Sequence, residues 1–174
     1  PDDSKCYFNL GALHERKGNT DAASKCFLSA LTIDPSYVKA GHRLLNLAEQ
    51  TGNVEALLLA RRSLVGEENG RELLATLLVE LAEGEAKILD NMQGLPPTIP
   101  EGPELAKEAI ELCGDNITLK GRALSASGQH TEAVKCWKKI IETDKTNPES
   151  WIGLARALEL SLIHISEPTR LRHI

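Results

Sequence analysis

One stretch constrains the fold more than any other: YFNLGALHERKGNTDAASKCFLSALTIDP, from Tyr7 to Pro35. Before its turn, Tyr7, Leu10, Leu13 and His14 recur at spacings of three and four, which places them on one helical face. Gly18 and Asn19 interrupt the helix-favouring run and read as a turn. Thr20 and Asp21 suit the start of a second helix. Ala23, Phe27, Ala30 and Leu31 then share a face of that helix. Gly11 and Ala30 are small enough for close approach, and Phe27 fills the space between the helices. Pro35 stops the second helix, because a proline ring cannot continue the hydrogen-bond ladder. A single hairpin of this size cannot bury its own apolar face, so neighbouring hairpins must stack on it.

The rest of the chain repeats the pattern. Gly52 follows Gly18 with the same kind of turn between two helical runs. Gly121, Gly128, Ala133 and Trp137 repeat Gly11, Gly18, Ala23 and Phe27, all four at one constant offset. That offset is three times the Gly18-to-Gly52 interval plus a short surplus, and the Pro/Gly-rich loop near 95–102 accommodates the surplus. This spacing divides the chain into residues 1–37, a degenerate second unit 38–70, a degenerate third unit 71–113 containing the insertion, and a fourth unit 114–147. Residues 148–159 form the first helix of a fifth unit, with Trp151, Leu154 and Leu158 following Pro148. In the second unit Gly41 takes the aromatic slot, while Leu44, Leu47 and Ala48 keep the helical period, as do Ala56, Ala60 and Leu64. The third unit offers Leu73, Leu74, Leu77, Leu78, Leu81 and Ala82, in a helix expected to extend through Ile88 and Leu89. After NMQGLPPTIPEGP, the next helix is expected over Glu104 to Cys113.

The spacing W-x2-L-G-x2-Y, then A-x3-F, then P, with a period of about 34 residues, resembles the tetratricopeptide repeat. Tyr7 stands for the tryptophan and His14 for the tyrosine. The resemblance implies an all-α, right-handed solenoid of antiparallel helix hairpins. It also implies that the first helix of each repeat lines a concave groove. The groove slots hold Lys5, Phe8, Ala12, Glu15 and Arg16 in the first unit. In the second they hold Lys39, His42, Asn46, Glu49 and Gln50, with Arg43 at the edge of the helix pair. In the fourth they hold Asp115, Thr118, Arg122 and Ser125. A subclass of the family clamps the carboxyl terminus of chaperones with a lysine and an asparagine. Phe8 and Ala12 occupy those two slots, so the carboxylate clamp is not supported.

LSLIHISEPTR, within residues 160–174, resembles the translation of a sequencing-library adapter. On that resemblance the tail lies outside the fold, and the natural protein is expected to continue beyond Glu159. The chain also begins at Pro1 without methionine and is expected to be a fragment.

Composition narrows the function. The net charge of −5 and a pI near 5.6 oppose a nucleic-acid footprint, which would be basic. No run approaches the ~20 apolar residues that cross a bilayer. Cys6, Cys26, Cys113 and Cys136 form no C-x-x-C pair, so no zinc site is expected. They read as small, partly buried apolar residues of the cytoplasm or another reducing intracellular compartment. His14, His42 and His130 are far apart, no phosphate loop or catalytic motif is present, and no cofactor is expected. The chain is therefore expected to be a non-catalytic protein–protein interaction scaffold that holds a peptide or helix of a protein partner. The alternative is the regulatory arm of a larger enzyme.

Overall fold

The computed structural model describes residues 3–85 and 96–166, with side chains to Leu162. Among the described residues there are nine helices and no strand. They are α1 (Ser4–Arg16), α2 (Thr20–Ile33), α3 (Val38–Thr51), α4 (Val54–Ser63), α5 (Gly70–Glu83), α6 (Gly102–Leu112), α7 (Ile117–Ala126), α8 (His130–Thr143) and α9 (Pro148–Ser166). Each helix packs on the next, so α1/α2, α3/α4, α5/α6 and α7/α8 are hairpins and α9 adds to α8. Along the stack α2 also meets α4, α5 meets α7, and α7 meets α9. The chain is an all-α helical-repeat solenoid.

The turns explain the repetition. Gly18, Gly52 and Gly128 hold the same position in three hairpins, with φ of 76°, 69° and 80°. That left-handed conformation strains a side-chain-bearing residue, and glycine adopts it freely. Asp34 and Asp144 end α2 and α8 in extended conformation. Each Oδ1 accepts from the amide two residues on, Ser36 at 3.1 Å and Thr146 at 2.9 Å. These are matching Asx turns that reverse the chain into the next hairpin. The hydrogen bonds donated by Thr146 hold the Asp144 carboxyl below its ordinary pKa.

Packing follows the expected register at the ends of the stack. Phe27 is fully buried, and a Cβ added to Gly11 would lie 2.6 Å from its Cε1. The fourth hairpin repeats this contact, since a Cβ on Gly121 would lie 2.9 Å from Trp137 Cε2. Trp137 is larger than Phe27 and reaches further. A Cβ on Gly153 of α9 would come within 2.5 Å of its ring. The indole is thus held between the backbones of α7 and α9. The core runs as three clusters along the stack, around Phe27 and Leu44, around Leu74, Leu78 and Leu105, and around Trp137 and Ala157.

Several local expectations differ. Helix α5 stops at Glu83 with Gly84 left-handed at φ 73° as its cap. Ile88 and Leu89 lie outside the described residues. Helix α6 starts at Gly102, with Pro103 in its first turn, where a proline's missing N–H costs nothing. The described part of the insertion is anchored, because Ile99 is buried in the central cluster. Helix α4 has 10 residues where α2 and α8 have 14. Gly66 and a left-handed Asn69 break the chain one turn early. Helix α7 begins only at Ile117, so Asp115 lies in the preceding turn beside Gly114 and not on a helix face. Helix α9 runs past Glu159 to Ser166, since no glycine or proline follows Gly153 within it. Residues 167–174 lie outside the described region. On α1, Tyr7, Leu10 and Leu13 remain 40–52% exposed, because among the described residues no helix covers that side. Cys113 is buried and Cys26 and Cys136 half-buried, but Cys6 is exposed beside Asp3.

Candidate partner-binding face

The candidate residues lie on α1 and α3 and on α7 with the turn before it. On α3 the buried set is Ala40, Gly41, Leu44, Leu47 and Ala48. The intervening positions Lys39, His42, Asn46, Glu49 and Gln50 must then face outward, and all are exposed. Among the described residues, the side chains of Lys39, His42 and Asn46 make no hydrogen bond or ion pair with the rest of the chain. On α1, Lys5 and Arg16 are likewise exposed and unpaired. Together with Gln50 they form the open part of the face.

The other candidates are engaged inside the molecule. Phe8 is half-buried, with its ring centroid 5.7 Å from Phe27 and 5.4 Å from Tyr37. Its ring closes the seam between the first two hairpins, so most of it cannot meet a partner. Glu15 on α1 accepts from Arg43 on α3, Nη1 to Oε1 at 3.2 Å, and ties the two first helices together. Glu49 accepts from Arg61 of α4 at 3.4 Å. Arg122 on α7 donates through Nε to Oε2 of Glu83 at 3.1 Å and through Nη2 to the same carboxylate. Glu85 lies 3.5 Å from Nη2. The hydrogen bonds to Glu83 raise the Arg122 pKa above its ordinary value, against the opposing effect of burial. Arg122 therefore belongs to a strut between α5 and α7, away from the open cluster on α1 and α3.

Glu83 stands outside the candidates read from the sequence, although its signal is there. Glu15, Glu49 and Glu83 follow one another at the repeat period, at the same slot of three successive first helices. Each binds an arginine from a different helix. As exposed or half-exposed pairs they contribute only ~0–1 kcal/mol each. They join α1 to α3, α3 to α4 and α5 to α7.

The segments joining α4 to α5 and α6 to α7 bound an open cleft of about 710 Å³. It is bounded by 65–72 and 111–116 and lined by Glu67, Glu72, Glu111 and Asp115 together with Arg71. Asn116 Nδ2 donates to Glu72 Oε1 across it at 2.7 Å. Among the described residues, no group of His, Cys, Asp and Glu is placed to hold a metal ion, and no helix is long and apolar enough to cross a membrane.

The fold is a stack of helical hairpins, the architecture of a helical-repeat protein. The family model for the tetratricopeptide repeat matches residues 4–37, from the start of α1 to the turn after α2. The first hairpin, α1 and α2, is thus similar to a tetratricopeptide repeat. Comparison with curated proteins finds no match.

Proposed function

We propose that this protein is a non-catalytic scaffold that binds a peptide segment of a protein partner on the first-helix face, centred on α3. Tetratricopeptide repeats mediate protein–protein interaction, and the first hairpin matches that family. One observation carries the finer reading. Lys39, His42 and Asn46 stand exposed on one helix with no partner within the described chain, on a framework braced by the Glu15–Arg43 and Glu49–Arg61 struts. Burial of the opposite side of α3 fixes their direction, so little order has to be imposed when a ligand arrives. Lysine and carboxamide donors suit carboxylate or backbone carbonyl acceptors.

The test combines Lys39→Ala with Asn46→Ala in the full chain. Both side chains are exposed, so stability should change by only ~0.5 kcal/mol and helicity should be preserved. A partner retained from native lysate by the wild type should be lost by the double variant. Equal retention by both places the binding surface elsewhere on the solenoid.

A further inference from the structure

Among the described residues, exposed large apolar side chains concentrate on the helices at the two ends of the stack. Tyr7, Leu10 and Leu13 lie on α1, and Trp151, Ile152 and Leu158 on α9, each 40–54% exposed. Between them, Ile33, Leu73 and Ile117 stand singly on α2, α5 and α7. The two end faces are different sides of the same helical pattern. On α1 the exposed set includes Cys6, Leu10 and Leu13. One repeat period later, Ala40, Leu44 and Leu47 of α3 are buried, and α2 packs on α3. The equivalent residues of α9, Ser150, Leu154 and Ala157, are buried or half-buried, and α8 packs on α9. On α9 the exposed set is instead Trp151, Ala155 and Leu158, spaced to share one face. One period before the last two, Gly121 and Leu124 of α7 are buried, and Trp137 of α8 lies over Gly121. Helix α1 is thus open on the side where α3 and α9 meet the helix before them. Helix α9 is open on the side where α7 meets the helix after it.

We propose that this protein associates head to tail, with the Trp151, Ala155 and Leu158 stripe of α9 in one copy seated on the Leu10 and Leu13 face of α1 in the next. The contact is separate from the α3 cluster and leaves Lys39, His42 and Asn46 open. Charge complementarity selects a second copy as the occupant. Each hairpin reverses the chain, so first helices share one direction, and α1 of a copy that continues the stack runs parallel to α9. Lys5 and Glu149 are the second residues of α1 and α9. Arg16 and Glu159 follow them after about 17 Å and about 15 Å of helix, at 1.5 Å per residue. Aligned in this way, each cation of α1 meets a carboxylate of α9, and Arg156 falls level with Ala12 between the two cations. All four of these charged side chains are exposed, and among the described residues none is in an ion pair. Contacts between like ends are opposed by the same charges. In a two-fold pair of antiparallel α1 helices Lys5 meets Arg16, and in a pair of α9 helices Glu149 meets Glu159. Because the two surfaces differ, the contact is heterologous, and each added copy leaves one surface of each kind open for further growth.

Sedimentation of the full chain at low salt tests this. The weight-average mass should rise with concentration from that of one chain to beyond that of two, and added salt should lower it. Leu13→Asp and Leu158→Asp each spoil one surface, so either variant alone should stay at the mass of one chain. Their equimolar mixture should reach two chains and stop, because it holds one intact surface of each kind. Both side chains are exposed, so helicity should be preserved, which circular dichroism checks. Charge reversal gives a second route. Lys5→Glu with Arg16→Glu in one chain, and Glu149→Lys with Glu159→Lys in another, should each weaken association alone and restore it when mixed. A wild type that keeps the mass of one chain at every concentration overturns the inference and leaves the end faces to a helix of another protein. So does a Leu158→Asp chain that associates like the wild type, which would put the contact between two α1 helices. A mixture of the two aspartate variants that stays at one chain also overturns it.

Discussion

At the residue scale, the decisive contacts join a glycine in one helix to an aromatic ring in another. Gly11 with Phe27 and Gly121 with Trp137 were legible in the sequence, because both pairs recur at the same spacing. Gly153 was not, since its role exists only because tryptophan is larger than the phenylalanine it replaces. Phe27→Ala and Trp137→Ala should each cost ~3–5 kcal/mol, the range for a buried aromatic cut to alanine. A denaturation midpoint left unmoved by either would contradict the register. Gly153→Ala should cost ~1–3 kcal/mol by overpacking, since its new methyl would lie 2.5 Å from a ring that is itself 2% exposed. A Gly153→Ala protein as stable as wild type would show that the indole has room to move. Cys113 supplies a test in pH. It is buried, and desolvation pushes its thiol up from 9.0 to about 11. A folded-state pKa raised in this way gives stability that is complete below pH 9 and lost as the pH rises through about 11. The thermal midpoint of wild type should therefore fall more steeply between pH 9 and about 11 than that of Cys113→Ala. Parallel curves would contradict the buried thiol.

At the scale of elements, helix starts and stops depended on residues of different legibility. Turn glycines and Asp-containing reversals carry their conformation in the local sequence, so the turns at Gly18 and Gly128 fell where the pattern put them. The short α4 and late α7 did not, because Gly66, Asn69 and Gly114 act through positive φ or chain breaks that the repeat pattern does not mark. The struts were legible only in part: Glu83 recurs at the period of Glu15 and Glu49, but nothing local to it names Arg122, in another repeat, as its partner. Helix α9 gives the clearest prediction at this scale. Ala157 is its last described buried apolar residue, while Leu160 and Leu162 are exposed. A chain ending at Glu159 should keep its thermal midpoint within a few degrees of the longer one. A larger fall would show that the residues beyond Glu159 pack on the solenoid.

At the scale of the whole molecule, repetition does two things. It builds a core that no single hairpin could close, and it brings equivalent positions of distant segments into one line. The exposed side of α3 was readable in the sequence from its helical period. Which candidate side chains stay open was not, because pairing by Arg43, Arg61 and Glu83 depends on packing between helices. The central claim is that the face of α1 and α3, and not the outer face of the second helices, meets the partner. Photo-crosslinking tests it most directly, with a photoreactive residue placed at His42 on α3 and, separately, at Lys138 on α8, both exposed positions. The expected result is a covalent adduct with the retained partner from position 42 and none from position 138. An adduct from 138 alone, or equal adducts from both, would contradict it.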